Sequence, residues 1–210
     1  MINNIPFYKN DEDGNQCLQV ATRSAIKHFL NKDYSLEELD RLTGKKANFW
    51  TYTSQIASVL HDVGLKIKYY SKEALEPFLE GESYLRKHYG KNADKILKFT
   101  NVPTVVESIE NLLTYDIFKQ RKISLSSIEE EVKKGHVPIV LIDNNIITKK
   151  DGYYQGHAVV ITGFDNEFIY YHDSGPSNPT SNKRIDKKIF IKAMDANGTD
   201  NDCIIVFGER

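Results

Sequence analysis

Cysteine is nearly absent from this sequence: two residues, Cys17 and Cys203, stand near opposite ends of 210 positions. Two thiols so placed, with no CxxC pair, argue against a disulfide framework or a cysteine-based zinc site and suit a reducing cytoplasm. An excess of charge of one sign is also missing, since 28 Lys and Arg face 29 Asp and Glu for a net charge of −1. Without a dense basic stripe, neither nucleic acid nor an acidic membrane is expected as a partner. No apolar run approaches the roughly 20 residues of a membrane helix. The start, "MINNIPFYKNDEDG", lacks both the charged and the apolar region of a signal peptide. None of the six histidines falls in an HExxH or other metal-ligand spacing, so neither a metal nor an organic cofactor is expected. Internal repeats and low-complexity segments are absent as well. A cytoplasmic single domain over residues 1–210 is expected, its 40% hydrophobic content enough for a proper core.

What is present has a clear order. Leu18, Ala21, Ala25, Ile26 and Phe29 recur at helical spacing over residues 17–30, with Arg23, Lys27 and Asn31 on the other side. In "YSLEELDRLTG", Ser35 and Glu38 form a capping box and Gly44 a stop. "WTYTSQIASVLHDVGLKIKYY" predicts a helix ending near Gly64 and a strand at Lys66–Tyr70. Residues 72–122 are charged and helical in period, broken at Pro77 and Pro103, and predict a helical excursion from the main body. "SLSSIEEEVKKGHVPIVLID" predicts a capped helix, a turn at Gly135 and a strand at 137–142. "HAVVITGFDNEFIYYHD" is a hairpin of strands 157–163 and 168–172 around "DN". A strand with a short helix and a final strand follow, at "RIDKKIFIKAM" and "CIIVFG". Helices first and antiparallel strands later make the class α+β.

The hairpin carries chemistry. A turn flanked by Phe164 and Glu167 sets His157 opposite position 174, and one flanked by Gly163 and Glu167 sets it opposite Asp173. Either register brings His157 and Asp173 to neighbouring strand ends, where the carboxylate can orient the ring and stabilise its charged form. Cys17 opens a helix, where unpaired N–H groups and the positive helix end favour a thiolate over a thiol of ordinary pKa near about 8.5. A nucleophilic thiol needs such a base and orienter, although the sequence alone does not join the two halves. His172 points to the opposite face from Asp173, and His136 is expected in solvent after its turn. His28, His61 and His88 belong to polar or boundary faces of helices. Cys203 is expected to pack, as are Phe49 and Trp50, while Tyr153 and Tyr154 lead into His157 and suit a cleft rim.

The chain resembles the peptidase C39-like group of papain-like cysteine peptidases. The resemblance covers most of the chain outside 72–122 and runs through "IPFYKN", "QCLQVATRSAIKHF", "SLEELDRLTG", "IEEEVKKGHVPIVLID" and, most specifically, "GHAVVITGFDNEFIYYHDSGP". It implies a papain-like fold, with N-terminal helices carrying the Cys packed on a C-terminal antiparallel sheet. It further implies Cys17 as nucleophile, His157 as general base and acid, and Asp173 as orienter. The expected activity is hydrolysis of a peptide or other amide through a thioester acyl-enzyme. Two positions depart from the group: Leu18 replaces the Gly after the Cys, and Asn10 stands where a Gln helps form the oxyanion hole. Gln16, next to the Cys, is the other candidate donor. The same triad also serves an acyltransferase or transglutaminase-like enzyme, and the two departures fit a binding module that has lost turnover.

Overall fold

The computed structural model describes residues 1–11 and 14–210. The chain starts with three helices, α1 (Cys17–Leu30), α2 (Leu36–Leu42) and α3 (Thr53–Asp62), and enters the sheet at β1 (Leu65–Ser71). In α1 the apolar stripe Leu18, Ala21, Ala25 and Ile26 is buried, and Asn31 ends the helix in the left-handed region at φ 52°. The capping box of α2 forms as expected: Ser35 Oγ accepts from the Glu38 N–H and Glu38 Oε2 from the Ser35 N–H.

Residues 72–122 hold 3₁₀ turns, α4 (Glu82–Tyr89), α5 (Ala93–Lys98) and α6 (Val102–Tyr115), then β2 (Phe118–Gln120). This stretch is therefore not wholly helical. Its last strand pairs with β1 in parallel, Tyr69 opposite Phe118. Pro77 and Pro103 do not break helices but open them, in the first turn, where a missing N–H costs nothing. Val105, Ile109 and Leu112 of α6 join the same core as Ile26 and Leu60.

The second half gives α7 (Leu125–Lys133), β3 (Val137–Asp143), α8 (Asn144–Thr148), β4 (Gly156–Phe164), β5 (Phe168–Asp173), β6 (Thr180–Asp186), α9 (Lys187–Met194) and β7 (Cys203–Glu209). Among the described residues the strands form one sheet in the order β2-β1-β7-β3-β4-β5-β6, antiparallel except for β1 with β2. One face, with Ile67, Ile139, Val160 and Ile204, packs on α1, α3 and α6. The other, with Val140, Val159 and Ile205, packs on α7 and α9 through Ile128, Val132 and Phe190. Covered on both faces, β3 reads as the near-continuous apolar run "VPIVLI" rather than as an alternation. The architecture is α+β, with the Cys-bearing helices on a mostly antiparallel sheet.

The hairpin register differs from both expected ones. Phe164 pairs with Ile169 and Gly163 with Tyr170, and after an irregularity Val160 pairs with His172. The turn is wider because Asp165 Oδ1 accepts from the N–H groups of both Glu167 and Phe168. The irregularity falls where the N-terminal segment joins: Ile2 bridges Gly163, and Phe164 N–H donates to Met1 O at 2.9 Å. A Cβ on Gly163 would run into the Met1–Ile2 backbone, so only glycine admits this approach. The same segment brings Asn10 to Ser174, whose carbonyl accepts the Asn10 N–H at 2.9 Å.

Candidate active site

Cys17 is the first residue of α1. Gln16, at the N-cap, makes no side-chain cap bond, and no acidic residue stands in the first turn. The helix therefore presents unpaired N–H groups and uncompensated positive potential at the sulfur. Gly14 makes the approach possible: a Cβ there, at φ 69°, would come within 2.6 Å of Pro176 Cγ. The loop before the thiol thus lies on the loop after Asp173.

On the sheet side, the Ala158 N–H donates to Cys17 Sγ at 3.4 Å. His157 Nε2 meets Asp173 Oδ1 at 3.0 Å, and both residues are more than nine-tenths buried. With Nε2 held by the carboxylate, Nδ1 is the nitrogen left to the thiol. Asp173 is a hub: its Oδ1 also accepts the Gly175 N–H at 3.2 Å, and its Oδ2 accepts from Lys183 Nζ at 2.7 Å.

The electrostatics follow. Burial pushes the Cys17 thiol up, but the hydrogen bond and charge of His157, with the N–H groups of Ala158 and Leu18, outweigh it and leave the thiol below its ordinary value. Burial lowers the His157 imidazole, yet Asp173 and Cys17 carry it up to about 9. Burial raises Asp173, but His157 and Lys183 hold it down at about 2. Near neutral pH these directions favour a thiolate–imidazolium pair beside an ionised carboxylate. Cys203 is the contrast: fully buried on β7, its thiol is driven up by burial and by Asp202.

Of the two oxyanion candidates, Gln16 is committed elsewhere, since its Nε2 donates to Asp40 Oδ2 at 2.7 Å. The Asn10 amide differs: its Nδ2 and Oδ1 are both buried and have no partner among the described residues. Ser174, whose carbonyl fixes the Asn10 backbone, lines with Cys17, Tyr8 and Ser24 a cavity of about 10 Å³ behind the sulfur, too small for a substrate group. His172 is held apart from the pair, with Nε2 against Ile5 O at 2.9 Å and Nδ1 against the Asn182 N–H at 3.2 Å. His136 is not free in solvent: Glu131 holds its Nδ1 at 2.6 Å. Trp50 is 38% exposed and stacks on Phe99 at the surface instead of entering the core. Lys183 went unnoticed in the sequence; it faces Tyr171 in the β5–β6 ladder, a pairing no local pattern reveals.

Helices that bring a thiol onto a central strand of this sheet define a papain-like fold of the C39 peptidase kind. The chain is similar to the peptidase domain of Streptococcus ComA, a bi-functional ABC transporter involved in a quorum sensing pathway, at 13% identity over 98% of this chain and 100% of that one, with a TM-score of 0.52. A putative C39-like peptidase from Bacillus anthracis aligns at 15% identity over 49% of this chain and 56% of its own, with a TM-score of 0.33. No curated protein matches the sequence. The chain belongs to the family described as guanylylate cyclase, whose model matches residues 12–206. Among the described residues, no helix is long and apolar enough to cross a membrane.

Proposed function

We propose that the protein is a cysteine-dependent amide hydrolase acting through a thioester acyl-enzyme. The observation that carries this reading is the contact chain from the Ala158 N–H and the helix end to Cys17, and from His157 to Asp173. The Cys17 thiolate attacks the carbonyl carbon, and the carbonyl electrons move to oxygen. The Asn10 amide and the free N–H groups of α1 are the donors for that oxyanion. As the C–N bond breaks, the imidazolium of His157 gives its proton to the leaving nitrogen. His157 then takes a proton from water, hydroxide adds to the thioester, and the C–S bond breaks to restore the thiolate. Asp173 keeps the ring oriented in both halves. An amine or thiol acceptor in place of water turns the same cycle into acyl transfer.

The description of the family raises a second chemistry, cyclisation of a guanine nucleotide. Phosphoryl transfer depends on metal ions or free cations gathered around the transferring group. Among the described residues no three His, Cys, Asp or Glu side chains form a group suited to a metal ion. Lys183, the cation at the site, is already paired with Asp173. The contacts of Cys17 with the Ala158 N–H and of His157 with Asp173 support thiol chemistry better.

The test is thiol reactivity. A small alkylating probe near neutral pH is expected to label Cys17 at least about 10²-fold faster than Cys203, and His157→Ala to slow that labelling sharply. Hydrolysis of an acyl-amide panel, lost in Cys17→Ala, completes it. Labelling of Cys17 no faster than an unfolded-chain thiol, unchanged by His157→Ala, would sink the reading. Cyclic nucleotide formed from GTP by the Cys17→Ala protein would favour the cyclase instead.

A further inference from the structure

On the face of the sheet that packs against Cys17 lies a buried carboxylate with one oxygen unpaired among the described residues. Asp202 precedes β7, is 8% exposed, and accepts the Tyr69 hydroxyl on Oδ2 at 3.1 Å. Its Oδ1 is buried with no partner among the described residues. Burial pushes the carboxyl up to about 7 against the lowering by the Ser71, Thr53 and Tyr69 hydroxyls. An interior carboxylate oxygen left unpaired destabilises a fold. Lys72 does not resolve this, because it pairs with Asp200 at 3.6 Å.

The sheet fixes where this group sits. The Leu141 N–H donates to Asp202 O at 3.0 Å, and Leu141 is the cross-strand partner of Ala158, whose N–H touches Cys17 Sγ. Asp202 thus stands two strands from the sulfur's contact, about 10 Å at ordinary strand spacing. Alternation with Ile204 and the bond to Tyr69 put its side chain on the face where Cys17 packs. Half-buried Leu141 lies between them on that face. Tyr154 leans over this floor, since a Cβ on Gly156 or on Gly198 would come within 2.7 or 3.0 Å of its ring or hydroxyl. Burial raises the Tyr154 phenol, and so do the charges of Asp202, Asp200 and Cys17.

We propose that Asp202, with Leu141 as floor and Tyr154 as wall, is a specificity subsite for a cationic side chain, a lysine or arginine next to the acylated residue of a peptide substrate. The proposal rests on the acyl-enzyme reading for its place relative to Cys17. An ammonium or guanidinium group would satisfy Oδ1. Its methylene stem would lie along Leu141, and the Tyr154 face would accept the charge.

Calorimetry with the Cys17→Ala protein at pH 8 tests this, using acetyl-Ala-Lys-Ala-amide and its neutral counterpart with norleucine. The lysine peptide is expected to bind at least about tenfold tighter, a difference of about 1.4 kcal/mol. That advantage should vanish when Asp202→Asn is added. Should that variant fail to fold, Tyr154→Leu, at a side chain 39% exposed, is expected to weaken lysine binding several-fold and leave norleucine binding within about twofold. Equal affinities, an advantage that survives these substitutions, or no measurable binding of either peptide overturns the subsite. The two readings fail separately. Lysine preference with an unreactive Cys17 ends the hydrolase reading and keeps the subsite, and a reactive Cys17 without the preference does the reverse.

Discussion

Replacing Lys183 with methionine should raise the pKa of the His157 imidazole. Lys183 Nζ and His157 Nε2 contact different oxygens of one carboxylate, at 2.7 and 3.0 Å. Two cations so placed lie about 7 Å apart, and with an effective dielectric of about 40, Lys183 being 28% exposed, they repel by about 1.2 kcal/mol. That corresponds to about 0.9 pKa unit on the imidazolium. Asp173 stays ionised without Lys183, because the His157 contact alone still favours its charged form. The ring then feels a carboxylate no longer shared with a second cation. The Cys17→Ala background isolates the effect, since the thiolate no longer titrates with the ring. His157 Cε1–H is followed by NMR against pH, with and without Lys183→Met. An upward shift of about 0.5–1 unit is expected, shrinking in about 1 M salt, and none in Lys183→Arg, which keeps the charge. A shift below about 0.2 unit, or one downward, refutes the coupling and with it the description of Asp173 as a shared carboxylate.

Asn10→Ala is expected to lower acyl-amide turnover by about 10²–10³ while leaving Cys17 alkylation within about threefold, because alkylation develops no oxyanion. Equal losses in both assays would assign Asn10 a merely structural role. Asp173→Asn should slow Cys17 labelling at pH 6–7 by at least about tenfold, as the imidazolium loses its counter-charge. Asp202 carries a stability signature. Its folded pKa of about 7 lies above the ordinary 3.8, so its neutral form stabilises the fold below about pH 4, and that contribution is lost as pH rises through about 7. Asp202→Asn should therefore raise stability at pH 8, by at most about 4 kcal/mol, and change little at pH 4. Denaturant melts at the two pH values read this directly, and a destabilised variant at pH 8 would contradict it.

The helices and strands with strong local signals were legible: α1 from its apolar stripe, α2 from its capping box, β3 from its run of apolar residues. The meeting of His157 with Asp173 was legible too, because both sit at the ends of strands joined by one short turn. The register was not. It depends on Asp165 capping two N–H groups and on Met1 and Ile2 arriving at Gly163 from the far end of the chain. The side chains still meet because a shift of one or two positions at a strand end moves them by little more than a side chain's reach. Three-residue β2 is too short to display an alternation, and its partner β1 lies some 50 positions away. The competition between Asn10 and Gln16 was undecidable for the same reason. Only the fold reveals that Asp40, on the next helix, takes Gln16.

Three departures from ordinary local rules lie on the Cys17 side of the sheet. Helix α1 begins without a side-chain cap, a loss of about 1 kcal/mol in a typical helix. The Asn10 amide is buried with neither oxygen nor nitrogen paired, and Asp202 buries an oxygen with no donor. Elsewhere α2, α7, α8 and α9 all carry side-chain caps from Ser35, Ser124, Asp143 and Asp186. Helices α3, α4, α5 and α6 lack such a cap too, so what sets α1 apart is the thiol at its first position. A capping carboxylate at position 16 would neutralise the helix end and oppose the Cys17 thiolate. A partner for Asn10 would occupy the donor that a reacting oxygen needs. In the proposed acyl-enzyme site, an arriving carbonyl oxygen would accept from the Asn10 Nδ2, and a cation would pair with the Asp202 Oδ1. On that reading these groups await a bound substrate, which a merely packed cysteine would not need.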